Sequence, residues 1–267
     1  MVWHAWGQSA CDPALAPLVL LHGGSGSWTH WLRNITGLLA AGRWVLVPDL
    51  PGFGDSALPA GGTDADAVPE PLEQGLQCLL GGRACDLVGF SFGGMVAGLL
   101  AASTPARAAR LVLVGAPGLG IAPDRAIRLN AWRHVPQASQ RLEAHRHNLA
   151  ALMLHHPASI TDTALRLHEA NVLRDRMKGR SLSRTDVLAR ALLQVRCPVR
   201  AIYGTEDALY RGQLHRLEPA LRQAPGFVAL SLIEDAGHWV QFERAEAFNA
   251  ALLEALETAE PAANPGS

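Results

Sequence analysis

The stretch LVGFSFGGMVAG, residues 87–98, sets Ser91 between Gly89 and Gly93. A G-x-S-x-G pattern suits a sharp strand-to-helix turn that holds a serine hydroxyl clear of the sheet, with side chains missing on either side so that the turn can close. A serine hydroxyl is a weak nucleophile until a base takes its proton and an acid orients that base. Two later residues have the right types: Asp207, which closes AIYGTED, and His238, which follows LSLIEDAG. Glu206 is the rival to Asp207, and Asp207 has an alternative use as a helix N-cap before ALYRGQLHRL. The short motif alone is weak evidence in a chain with 26 glycines, so its context decides.

That context is a strand, a turn and a helix. ACDLV before the serine reads as a strand, and GGMVAGLLAAS after it reads as a helix whose Gly94, Ala97 and Gly98 suit close packing on a sheet. A helix that starts just past the serine aims free N–H groups and its positive dipole end at the place where a tetrahedral oxyanion would form. From Pro17 to about Gly118, apolar runs alternate with helix-like segments, as in a parallel sheet with crossover helices. PLVLLHGG, RWVLVPDLPGFG, CDLVGFSFGG and ARLVLVGAPG are continuous apolar runs closed by glycine turns, and CPVRAIYGTED and GFVALSLIEDAGH follow later. Between Ile121 and Gln194 such runs vanish, and Arg, His, Leu and Ala recur at helical spacing. The expected organisation is an α/β core of residues 1–120 and 195–258, a helical insertion of 121–194, and a disordered tail of 259–267.

Composition excludes several classes. The 23 basic and 24 acidic residues give a net charge of −1 with no basic cluster, which argues against nucleic acid as a partner. No apolar run is long enough to cross a bilayer, so no membrane partner is expected. No secretory signal is visible at the start, which makes the cytoplasm the expected location. The four cysteines lack metal-ligand or redox-motif spacing and are expected to be reduced. Of the eleven histidines, His134, His145, His147, His155, His156 and His168 fall in the insertion. They read as solvated or cavity-lining groups, and no metal site is expected. Asp49, Asp55 and Asp235 read as turn formers, and His22 as a hydrogen-bonded structural residue.

LHGG, DLPGFGDS, GFSFGG, YGTED and EDAGHW, in that order, resemble the signature stretches of the α/β-hydrolases with a helical cap. The resemblance implies an α/β-hydrolase fold, a mostly parallel sheet flanked by helices, and a Ser91–His238–Asp207 triad acting through an acyl-enzyme. It also implies that the oxyanion donors are the backbone N–H groups of Gly24 and Phe92. This chemistry acts on a small-molecule carbonyl substrate and requires no cofactor.

Within that family, GHWVQFERAEAFNAALL and HGGSG are similar to the enzymes that hydrolyse meta-cleavage products of aromatic degradation. Those enzymes hold a polar dienoate head with an asparagine before the nucleophile and an arginine in the cap. Here Phe90 stands at the first position and His168 falls nearest the second, with Arg174 and Arg176 as possible replacements nearby. Phenylalanine cannot hydrogen-bond a keto acid, and a neutral imidazole replaces a bidentate guanidinium poorly. The sequence therefore points to a carboxylic ester hydrolase, with carbon–carbon bond hydrolysis of a 2-hydroxy-6-oxo-dienoate as the alternative. Trp28, Phe90, His168 and Trp239 are the expected substrate-pocket residues.

Overall fold

The structure is a computed structural model that describes residues 1–122 and 127–257. The expected disordered tail, 259–267, lies outside the described residues. These form seven strands in one sheet of order β1-β3-β2-β4-β5-β6-β7. The strands are β1 (Val2–Trp6), β2 (Leu18–Leu21), β3 (Val45–Asp49), β4 (Cys85–Phe90), β5 (Ala108–Val114), β6 (Val199–Gly204) and β7 (Phe227–Ile233). Only β1 pairs antiparallel, against β3. The six apolar runs are β2 to β7. β1, VWHAW, has no such run, and its residues are exposed or half-buried.

The helices are α1 (Ile35–Ala40), α2 (Pro69–Leu80), α3 (Phe92–Ser103), α4 (Ala138–Asn148), α5 (Asp162–Leu173), α6 (Val187–Leu192), α7 (Leu217–Leu221), α8 (Val240–Glu243) and α9 (Ala245–Glu257). β2, β3, β4 and β6 are buried along their whole length, as strands covered on both faces must be. The strand period of two divides their side chains between two cores. Val19, Leu21 and Leu87 pack with Leu72 of α2 and Val96 of α3. Leu18, Leu20 and Val88 pack with Leu38 of α1 and Leu252 of α9 on the other face. Removing such a buried leucine to alanine costs about 2–5 kcal/mol, so this layering holds the strand ends firmly in place.

Between β5 and β6 the described residues form helices and no strand. α4 runs into a π-helical turn at Leu149–Met153, and α5 starts where the Thr161 Oγ1 accepts the Ala164 N–H. A π-turn shifts the helix register locally, and this one ends at Met153, beside the site below. α6 packs against α3, where Gly98 meets Leu188 rather than the sheet. No helix among the described residues is long and apolar enough to cross a membrane.

Candidate active site

The parallel strands carry their chemistry at their C-terminal ends, where crossover loops converge. β4 ends at Phe90, and the next residue, Ser91, takes φ 51° and ψ −115°. That region is sparsely populated by side-chain-bearing residues and costs on the order of 1–3 kcal/mol. The sequence supports it by leaving its neighbours bare. A Cβ on Gly89 would collide with the Gly93 carbonyl, and one on Gly93 would stand 2.6 Å from the carbonyl oxygen of His22. The Ser91 N–H donates to the Val114 carbonyl at 2.8 Å, and α3 begins directly after it. As the first residue of α3, Phe92 has an N–H with no intrahelical acceptor.

Ser91, Asp207 and His238 come together from three strand ends. The His238 Nε2 lies 2.9 Å from the Ser91 Oγ, and its Nδ1 lies 2.9 and 3.0 Å from the two Asp207 carboxylate oxygens. Asp207 is wholly buried and His238 is 3% exposed. The Asp207 Oδ1 also accepts the Leu209 N–H at 2.9 Å. Acceptors on the Nδ1 side require Nδ1 to carry a proton, which leaves Nε2 free to accept one from the serine. Glu206 points away from this set, 4.0 Å from His155.

The loop after β2 brings Gly24 to the same place. His22 is buried, donates from Nδ1 to the Gly23 carbonyl at 2.8 Å, and accepts the Leu50 N–H at Nε2 at 2.9 Å. The Gly23 N–H donates to the His30 Nδ1 at 3.2 Å. Both polar groups of Gly23 are therefore engaged, and Gly24 follows it in the lining of the cavity over Ser91. These bonds require neutral imidazoles. Burial pushes the His22 pKa down to about 4 and the His30 pKa well below its usual range, so both are neutral at pH 7. His30 carried no sequence signal, since its partner is a backbone N–H seven residues back.

A cavity of about 710 Å³ opens over Ser91 and His238, lined by Gly23, Gly24, Phe90 and Phe92 among others. Phe90 forms its wall, with its ring centroid 5.0 Å from that of His238 and 5.5 Å from that of His30. Trp28, His168 and Trp239 are not brought to this cavity. Trp28 packs on His4 and Trp6 of β1, and its backbone N–H donates to the Asp49 carboxylate. Trp239 is buried one layer back, stacked on Phe242, with its Nε1 donating to the His30 carbonyl at 3.0 Å. His168 is half-buried against His145 between α5 and α4, and burial, then the His145 charge, lowers its pKa to about 4. Arg174 pairs with exposed Asp55, and Arg176 donates to the carbonyls of Gly54 and Ser56. Arg180 and Arg184, which sequence reasoning did not single out, do line the cavity.

Glu243 was also missed, although it lies in the stretch after His238. It is buried, and its carboxylate accepts the N–H groups of His155, His156 and Gly237 at 2.7–2.9 Å. It thereby ties the His238 loop to the segment after the π-helical turn. Next to it, His155, His156 and Asp235 offer ligand atoms within 4.8 Å of one another. The Arg244 guanidinium already lies 2.7 Å from Asp235 and 3.0 Å from the His156 Nε2, so a metal ion there would have to displace a cation.

Comparison with known proteins agrees with this architecture. A sequence profile of the alpha/beta hydrolase family matches residues 18–251. A 2-hydroxy-6-oxo-6-phenylhexa-2,4-dienoate hydrolase of Burkholderia cepacia is 29% identical over 257 residues, covering 90% of this chain and 87% of that protein. Among solved structures, a protein of Burkholderia cenocepacia assigned as an aryl esterase superposes with a TM-score of 0.73 at 24% identity, covering 96% of this chain and 95% of that one. A meta-cleavage product hydrolase of Pseudomonas fluorescens superposes with a TM-score of 0.70 at 26% identity, covering 95% and 92%. With most of its length matched by the family profile, the chain is a hydrolase and belongs to the alpha/beta hydrolase family.

Proposed function

We propose that the protein is a serine hydrolase of carboxylic esters, and the observation that carries this reading is the hydrogen-bonded chain Ser91–His238–Asp207 at the floor of an open cavity. His238 takes the Ser91 proton as the serine oxygen attacks the ester carbonyl. The N–H groups of Gly24 and Phe92 receive the oxyanion, each worth about 2.7–4 kcal/mol of transition-state stabilisation. His238 then gives its proton to the departing alcohol, leaving an acyl-serine. Water, deprotonated by His238, attacks that acyl group, and the acid leaves as Ser91 regains its proton. Asp207 holds the imidazole in the required tautomer throughout. In this reading residues 121–194 form a cap that closes the cavity from above.

Carbon–carbon bond hydrolysis of a dienoate is the second reading, favoured by the dienoate-hydrolase relative and by Trp239 following His238. Against it stands Phe90, a cavity wall that offers no hydrogen bond where a keto acid head would need one. Purified protein assayed side by side on 4-nitrophenyl esters and on a meta-cleavage product separates the two. The ester reading expects ester turnover that falls by roughly four to six orders of magnitude in Ser91→Ala. It also expects a fluorophosphonate to label Ser91 in the wild type. Rapid decay of the dienoate with esters left intact would replace it with the second reading.

A further inference from the structure

Away from the cavity over Ser91, the loop before His238 meets the segment after the π-helical turn at a cluster of His155, His156 and Asp235. One ligand atom from each lies within 4.8 Å of the others, and all three side chains reach solvent. Their backbone is fixed from inside, because the buried Glu243 carboxylate accepts the His155 and His156 N–H groups at 2.9 and 2.8 Å. The Asp235 N–H donates to the Thr205 Oγ1 at 3.0 Å.

The His156 Nε2 and one Asp235 carboxylate oxygen stand 3.1 Å apart. A guanidinium can only donate, so the Arg244 Nη2, 3.0 Å from the His156 Nε2 and 2.7 Å from Asp235, requires that ring nitrogen to present its lone pair. Two acceptors this close repel each other unless a cation lies against both, and Arg244 is that cation here. A tetrahedral zinc ion, with bonds of about 2.0–2.1 Å, holds its ligands roughly 3.3 Å apart and takes both lone pairs directly. The His155 Nε2, 3.9 Å from the other Asp235 oxygen, has to close by roughly half an ångström to join them. Its Nδ1 stands 4.0 Å from Glu206, on the side where a carboxylate steadies the ring of a metal-bound histidine.

We propose that His155, His156 and Asp235 bind a zinc-class divalent ion, with water in the fourth position and Glu206 behind His155. Two imidazoles and a carboxylate, with no thiolate, suit zinc rather than calcium or copper(I). Arg244 is the group the ion displaces. Its pair with Asp235 is solvent-exposed, and such pairs contribute little. Its side chain also lines a groove of about 590 Å³ with Leu32, Arg33 and Phe242, which leaves it room to turn away. The ion ties the His238 loop to residues 155 and 156 from outside, as Glu243 does from inside.

The test titrates zinc chloride into the protein after chelator treatment and reads binding by calorimetry and by the thermal unfolding midpoint. One ion per chain is expected, with a midpoint that rises with zinc concentration because the ion binds the folded site. His155→Gln, His156→Gln and Asp235→Asn, all at solvent-accessible positions, should each weaken binding by at least about tenfold, since altering an outer-shell partner alone costs a metal site that much. Arg244→Met removes the competing cation and should tighten binding by about fivefold. That direction separates this site from binding at other exposed histidines, which Arg244 does not touch. Cobalt(II) in place of zinc should give the strong visible absorption of a four-coordinate ion in the wild type, and lose it in His156→Gln. A wild type that binds no zinc at millimolar concentration overturns the inference. So does binding that survives His156→Gln undiminished, or that Arg244→Met leaves no tighter.

Discussion

Buried histidines behave differently at the strand ends and in the helices between β5 and β6. In the loops of the sheet, His22, His30 and His238 have ring nitrogens bonded to named partners, which fixes each tautomer. Between α4 and α5, His145 is buried and His168 half-buried, yet both nitrogens of His145 and the buried Nε2 of His168 have no hydrogen-bond partner. A buried polar atom left unpaired costs about 1–3 kcal/mol, so the helical pair carries a local penalty that the loops avoid. The strand-end network is therefore rigid and directional, while the helical pair is held by shape and burial. Catalytic geometry needs the first kind of construction.

The largest expected effect comes from cutting the network at its end. Asp207→Asn should preserve the fold but favour the wrong His238 tautomer, lowering kcat on an ester by about 10⁴-fold, measured with thermal unfolding as a control. A fall of less than tenfold would show that His238 does not depend on its partner. His22→Leu should have a smaller effect, spread over stability and rate. It strands the Gly23 carbonyl and the Leu50 N–H in the core, at about 1–3 kcal/mol each, and loosens the loop that presents Gly24. A lower midpoint in urea with a reduced kcat is the expected result; an unchanged midpoint would mean that the His22 bonds contribute little.

The same contrast explains what the sequence revealed. β2 to β6 were legible because burial demands uninterrupted apolar runs, and β7 was legible from its run FVALSLI although it is an edge strand and only part-buried. Ser91, Asp207 and His238 were legible because each sits at the end of such a run. β1 was not, because VWHAW, exposed or half-buried throughout, is short and interrupted by a histidine. Trp239 was expected to face substrate from its place beside His238, but its indole donates to the His30 carbonyl and is turned away. Arg180 lies in irregular chain between α5 and α6, so no periodicity says where it points. Asp175, Ser25 and two aromatic rings set its position, all of them tertiary contacts.

The smallest expected effect is the most direct measure of the helical pair. Burial lowers the pKa of His145, and burial followed by the His145 charge lowers that of His168 to about 4, from an ordinary value of 6.5. The unfolded chain therefore binds more protons than the folded one between pH 6.5 and about 4, and stability rises with pH across that window. It is fully present above pH 6.5 and is lost as pH falls toward 4. His22 and His30, also lowered by burial, contribute in the same direction from the sheet side. Replacing both His145 and His168 by leucine removes their share of the loss together with the unpaired nitrogens. The double variant should match or slightly exceed wild-type stability in urea at pH 7, and should lose less of it between pH 6.5 and 4.5. Its residual acid loss then belongs to the strand-end loops, where the imidazoles must stay neutral to hold Gly23. An unchanged slope would place the whole acid sensitivity in those loops and leave the helical pair without influence on it.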